Sequence, residues 1–232
     1  MFRPWGDGPV RKPVAVVTIG QSPRTDLIPF VCHFFPEGTE IVERGVLDGR
    51  TETEMASLAP ERGETVLVSR LRNGKSVIMA KEKIEPAIQT IIDELNRDTF
   101  AAILLACTGK FRPFASKIPV VCPDYLLCQA VKGLLEGGKI GLIVPLKEQA
   151  GSAEEKWKEA GFATAAEAAS PYDFQESALI EAVKRLDQTD AKAIVLDCIG
   201  YTQEMKDLAK KHTAKPVILP RSLIFRLLAE LL

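Results

Sequence analysis

Ala102-Ile-Leu-Leu-Ala-Cys107-Thr-Gly109 is written almost a second time as Ala193-Ile-Val-Leu-Asp-Cys198-Ile-Gly200. Each copy is an apolar run with the length of a buried strand, followed by x-Cys-x-Gly. The echo continues downstream, where Ile118-Pro119-Val-Val-Cys-Pro123 corresponds to Lys215-Pro216-Val-Ile-Leu-Pro220 and each precedes a leucine-rich helix. Upstream, Val14 to Gly20 matches Ile140 to Val144, and each opens a half. A repeat of this length is the signature of a duplicated supersecondary unit.

Between these landmarks, strand and helix signals alternate. Ser22 is expected to cap a helix running to Phe34 with Pro23 at its first position. Thr39 to Val46 reads as a strand and Glu52 to Leu58 as a short helix. Glu64 to Arg70 and Lys75 to Ala80 form a hairpin closed by Asn73-Gly74. Helices follow at 84–95, 124–135, 147–160, 174–186 and 203–211, with a last one from Ser222, and strands at 101–106, 139–144, 162–166, 193–197 and 216–219. Helices between fully apolar strands imply parallel sheets covered on both faces. The expected fold is α/β, two pseudo-symmetric three-layer αβα halves with mostly parallel sheets. Residues 14–120 with 221–232 form the first lobe, the last helix packing back on it, and residues 121–220 the second.

The five cysteines are odd in number and irregularly spaced, mostly within apolar runs, a pattern of reduced thiols rather than a disulfide framework. The expected compartment is the cytoplasm. Residues 1–13 lack the apolar core of a leader, and no window approaches the roughly 20 apolar residues of a membrane span. A net charge of −1, with both signs interspersed, provides no basic stripe for nucleic acid. No cofactor is expected. Cys122 and Cys128 lack further ligands at useful spacing for a metal. His33 and His212 have no serine or cysteine partner nearby, which argues against a triad. A homodimer is left open.

In parallel α/β sheets, ligands sit outside the carboxyl ends of the strands, where Cys107 and Cys198 stand. A lone cysteine there is ordinarily core, but packing does not require the same x-Cys-x-Gly context twice. If the halves face each other, the two thiols approach one point from opposite sides. One thiolate could then remove a proton from a stereocentre while the other thiol delivers one to the opposite face. A free thiol near pKa ~8.5 needs a downward shift of only about one to two units, which a following helix N-terminus would favour. Cys32, Cys122 and Cys128 are read as structural. The turn Gly20-Gln21-Ser22-Pro23-Arg24, through its backbone N–H groups and the arginine fork, is the candidate anchor for a small substrate carboxylate. Thr108, Gly109, Lys110, Gly200 and Tyr201 complete the candidate binding set, whereas Glu43, Arg44, Asp48 and Arg70 lie near strand ends as further polar groups. Asp197 either opposes ionisation of Cys198 by like-charge repulsion or points to the other side of the strand.

Thr18-Ile-Gly-Gln-Ser-Pro-Arg24, Glu43-Arg-Gly-Val-Leu-Asp-Gly49, Leu67-Val-Ser-Arg-Leu-Arg-Asn-Gly74, Leu105-Ala-Cys-Thr-Gly109, Val144-Pro145 with Trp157, and Leu196-Asp-Cys-Ile-Gly-Tyr201 together resemble the AroM family. The resemblance covers nearly the whole chain after Pro13. That family in turn resembles the aspartate/glutamate/hydantoin racemase superfamily, which includes maleate isomerases and arylmalonate decarboxylases. The resemblance implies an Asp/Glu racemase-like fold, cofactor-independent chemistry and paired cysteines, here Cys107 and Cys198. The chain departs from amino-acid racemases in having Gln21-Ser22, Thr108-Gly109 and Ile199-Gly200 where those have Asp-Ser, Asn-Thr and Thr-His. The missing groups argue against glutamate or aspartate as substrate. Three functions remain: a racemase or isomerase using both thiols, a single-cysteine isomerase or decarboxylase, and a non-catalytic sensor of small carboxylates.

Overall fold

The computed structural model describes residues 12–232; the reading of residues 1–11 lies outside them. The first half runs β1 (Val14–Thr18), α1 (Ile28–Val31), β2 (Ile41–Gly45), α2 (Glu52–Ala56), β3 (Val66–Arg70), β4 (Ser76–Ala80), α3 (Lys81–Leu95), β5 (Ala102–Leu105), β6 (Val120–Val121) and α4 (Pro123–Leu135). The second runs β7 (Gly138–Val144), α5 (Ala150–Glu159), β8 (Phe162–Ala168), α6 (Glu176–Asp187), β9 (Ile194–Leu196), α7 (Gln203–Lys210), β10 (Val217–Ile218) and α8 (Pro220–Ala229).

The duplication is explicit in the sheets. One has the order β2-β1-β5-β6 and the other β8-β7-β9-β10, and every pairing in both is parallel. The β3–β4 hairpin stands apart, antiparallel, with Gly74 at a φ of 85° in its turn. Such a positive φ favours glycine.

Side-chain alternation along each strand divides the apolar residues between two layers. Val14, Val16, Leu104, Ile140, Leu142 and Val195 point into a central core that both halves share with Trp157, α4 and α8. Ala15, Val17, Ile103 and Leu105 face the other way, onto Ile84, Ile88 and Ile92 of α3. Ile143, Ile194 and Leu196 similarly meet Leu179, Val183 and Leu186 of α6. The last helix, α8, packs on α4 and α1. Because the central core is common property, the strand ends of both halves are held in a fixed relation.

One expected element is replaced. The helix from Ser22 to Phe34 shrinks to α1 and a 3-10 turn at Cys32–Phe34, and the Ser22–Pro23 peptide is cis. Ser22 does not cap a helix. Its N–H donates to Asp48 Oδ1 at 2.8 Å and its hydroxyl donates to Asp48 Oδ2. The Arg24 N–H likewise donates to Glu43 Oε2 at 2.7 Å. Carboxylates from β2 and the segment after it take the donors that a helix would have left at its first turn. At 162–168 the weak strand signal becomes a seven-residue strand paired along the whole of β7. No helix among the described residues is long and apolar enough to cross a membrane.

Candidate active site

Two turns of the same shape follow β5 and β9. In the first, the Ala106 N–H donates to Val17 O at 2.7 Å and the Cys107 N–H turns back to Leu105 O at 2.7 Å. In the second, Asp197 donates to Ile143 O at 2.8 Å and Cys198 to Leu196 O at 2.7 Å. Each sulfur then accepts the N–H of the glycine two residues on, Gly109 for Cys107 and Gly200 for Cys198, at 3.4 Å in both cases. Glycine is required at both places by close approach. A β-carbon on Gly109 would stand 2.7 Å from Leu67 Cδ2, and one on Gly200 would stand 2.6 Å from Tyr172 Cζ. The N–H groups of Thr108 and Ile199, the residues between, donate to no group among the described residues.

The turns are clamped to each other. Thr108 Oγ1 donates to Asp197 O at 3.1 Å across the halves. Lys156 of α5 donates to Thr108 O and to Asp197 Oδ1, each at 2.8 Å, and Trp157 Nε1 donates to Asp197 Oδ2 at 2.8 Å. Asp197 therefore points away from Cys198 into the shared core, where Lys156 offsets its charge. Arg221 of α8 donates to Ile199 O at 3.1 Å, to Gly200 O at 3.0 Å and to Asp26 O at 3.0 Å, tying the second cysteine turn to the segment after β1.

Each of the two cysteines is buried, 8 % of the residue remaining exposed. Cys107 belongs to the first half's outer apolar cluster and Cys198 to the second's. Burial pushes the Cys107 thiol up to about 12; the Gly109 N–H works against this, while charge on Cys198 adds to it. Burial also raises Cys198, against the hydrogen bonds from Tyr172 and Gly200 and the charge of Arg24. The expected downward shift is thus reversed: removing a thiolate from water costs more than these donors return. No helix N-terminus follows Cys107, since the next helix begins only at Pro123.

The Gly20–Arg24 turn lies beside this region, yet its backbone donors are taken. Gln21 N–H goes to Arg70 O, and those of Ser22 and Arg24 go to Asp48 and Glu43. The expectation that these N–H groups hold a ligand is corrected accordingly. Arg72, which the sequence reading did not single out, donates its Nε–H to Ser22 O and its backbone N–H to Gln21 Oε1. Arg24, 2 % exposed, forks onto Asp26 at 2.7 and 2.8 Å and donates to Thr18 Oγ1 at 2.9 Å. Burial opposes its charge, but Asp26 and the neighbouring Tyr172 and Cys198 outweigh that and raise its pKa. Of the five guanidinium N–H groups, two remain for another acceptor.

The other expected residues separate. Thr108 and Gly109 line a cavity of about 240 Å³ with Lys110, Gln149, Lys156 and Asp197; neither sulfur is in its lining. Lys110 is exposed and paired with Glu159. Tyr201 is fully buried, its hydroxyl donating to Ala169 O at 2.6 Å, so it braces the second half rather than facing a ligand. Tyr172 was missed, and its hydroxyl stands 3.5 Å from Cys198 Sγ. Asp124 and Arg221 were missed as well, although they sit one residue beyond the repeated Val-x-x-Pro, where a longer comparison of the two copies would have found them. Lys156 has no such signal.

The sequence profile of the AroM protein family matches residues 14–232. The chain belongs to the AroM family. None of the curated proteins compared matches it. Among solved structures this AroM protein is similar to arylmalonate decarboxylase, with a TM-score of 0.62 at 12 % identity over 94 % of this chain and 92 % of that one. It is also similar to allantoin racemase from Pseudomonas fluorescens, TM-score 0.59, 16 % identity, over 94 % and 88 %. Glutamate racemase RacE1 from Bacillus anthracis superposes with a TM-score of 0.56 at 15 % identity over 94 % and 80 %. At such identities the likeness is one of fold: an Asp/Glu racemase-like α/β architecture.

Proposed function

We propose that this AroM protein is a cofactor-independent racemase or isomerase of a small carboxylate, with Cys107 and Cys198 as its two acid/base groups. The observation that carries the reading is the repeated thiol turn. Two cysteines with the same backbone bond and the same glycine N–H on sulfur are joined by the Thr108–Asp197 hydrogen bond. Membership of a fold shared with arylmalonate decarboxylase and two racemases agrees with it. The unengaged N–H groups of Thr108 and Ile199 would meet negative charge on a carboxylate or enediolate between the turns, and the two spare Arg24 hydrogens could add to them. One thiolate takes the proton from carbon, the charge spreads onto the carboxylate, and the other thiol protonates the opposite face.

One observation favours a second reading, a small-carboxylate binding protein without turnover: the cavity ends on Thr108 and Gly109 and does not reach either sulfur. Incubation of candidate carboxylates in deuterated water separates the two. The enzymatic reading expects deuterium at the α-carbon with wild type, reduced at least ~100-fold in Cys107→Ala and Cys198→Ala. Equal exchange in all three proteins would remove the cysteines from the chemistry. Ligand-dependent thermal stabilisation that survives both substitutions, without exchange, would establish the binding protein instead.

A further inference from the structure

Equivalent stations around the two thiols carry different chemistry. The Tyr172 ring lies over Gly200 and the Leu67 side chain over Gly109, at matching distances from where a β-carbon would stand. Tyrosine brings a hydroxyl within 3.5 Å of Cys198 Sγ, whereas leucine has no polar atom to bring to Cys107. The residues after the helix-opening prolines differ too. Arg221 follows Pro220 and donates twice to the Cys198 turn; Asp124 follows Pro123 on the Cys107 side, accepts the Phe111 N–H at 3.4 Å, and keeps Oδ1 buried without a partner. The duplicated unit has placed a phenol hydroxyl and two guanidinium groups near one sulfur, and an apolar side chain, a carboxyl and the already paired Lys156 near the other.

Resting on the function proposed above, we propose that the pair is polarised. Cys198 ionises first and takes the substrate's proton, Tyr172 is the positioning residue that donates its hydroxyl hydrogen to that thiolate, and Cys107 is the thiol that delivers a proton to the opposite face. The titratable and charged groups around Cys198 are Tyr172 from the loop after β8, Arg24 after β1 with its partner Asp26, Arg221 of α8, Tyr201, whose hydroxyl is turned to Ala169 O, and Asp197 just after β9, whose carboxylate is turned into the shared core. Asp26 and Asp197 are each already paired with a cation, Arg24 and Lys156. Burial holds the Tyr172 phenol well above its ordinary value, which favours its protonated, donating form. Facing Cys107 are Lys156, committed to Asp197 and Thr108 O, and Asp124, whose carboxyl is itself raised by burial. In one turnover Cys198 goes from thiolate to thiol, Cys107 from thiol to thiolate, and the substrate exchanges one hydrogen for another. Exchange with water restores the starting form.

The test is a titration of the protein labelled with 13Cβ-cysteine, the two resonances assigned with Cys107→Ser and Cys198→Ser. Carbon shifts report protonation without any reagent having to reach a buried sulfur. The expected result is a Cys198 midpoint at least about one pH unit below that of Cys107, and a rise of about one unit for Cys198 alone in Tyr172→Phe, the loss of a hydrogen bond to a charged group. Should Tyr172→Phe fail to fold, the order of the two wild-type midpoints decides by itself. Cys107 ionising first overturns the proposal, as does an unmoved Cys198 midpoint in folded Tyr172→Phe, or a Cys198 that stays protonated until alkali unfolds the protein. The titration needs no substrate. A reversed order alongside measured deuterium exchange therefore refutes the polarity alone, and the expected order without exchange refutes the enzymatic function.

Discussion

Lys156→Met removes an ammonium from the clamp between the two cysteine turns while keeping most of the side chain's apolar stem. Lys156 and Asp197 are 7 % and 2 % exposed at the side chain and 2.8 Å apart. After the substitution Asp197 retains the Trp157 N–H on Oδ2 but loses its cation, and Thr108 O loses a donor at 2.8 Å. Leaving one member of a buried pair uncompensated typically costs about 3–5 kcal/mol. In a chain of this size that corresponds to a fall in Tm of roughly 10 °C. The measurement is urea unfolding followed by fluorescence and far-UV circular dichroism, with a thermal melt beside it. Adding Asp197→Asn to Lys156→Met removes the stranded charge but leaves an acceptor for Trp157, and should recover at least about half of the loss. A single-variant loss below about 1 kcal/mol, or a double variant no better than the single, would show that this ion pair does not hold the two turns together.

Asp26 should make the protein sensitive to acid. Burial opposes its charge, but the Arg24 fork and the charge of Arg70 hold its pKa below the ordinary value. Because the unfolded chain regains a pKa of about 3.9, this stabilisation is complete above roughly pH 5 and is lost as pH falls through the lower folded value; the stability of Asp26→Asn should vary less over that window, as measured by urea midpoints from pH 6 to 2.5. If the enzymatic reading holds, kcat/KM should rise with pH along a limb above the ordinary thiol range, since burial raises Cys198, and fall only as Cys107 loses its proton at about 12. A limb below pH 7 would contradict it. Gly200→Ala should destabilise more than Gly109→Ala, by about 1 kcal/mol or more, because its β-carbon meets a packed phenol ring rather than a leucine methyl that can swing aside; equal denaturant midpoints would count against that packing.

Much of the architecture was legible because it is written in local periodicity. The apolar runs 14–18, 102–105, 140–144 and 194–196 are strands because both their faces are buried, a condition that shows in one dimension. The repeat around Cys107 and Cys198 was legible for the same reason, and the structure places both at equivalent strand ends. The segment 22–34 failed because its serine and proline are good local helix-start signals, whereas the donors of Ser22 go to Asp48 and the Arg24 N–H goes to Glu43, both distant in sequence. Tyr201 lies three residues after a candidate cysteine in sequence but turns its hydroxyl to Ala169.

The sequence by itself determined that there are two copies of one α/β unit, that each ends a buried strand in Cys-x-Gly, and that the family is AroM. Only the tertiary structure decided the electrostatics of those cysteines. Charge and hydrogen bonding act through space between residues far apart in the chain: Lys156 on Asp197, Tyr172 on Cys198, Arg221 on the second turn and Asp26 on Arg24. Periodicity reports which side of an element is buried, but it carries no record of which polar groups meet once those buried sides come together.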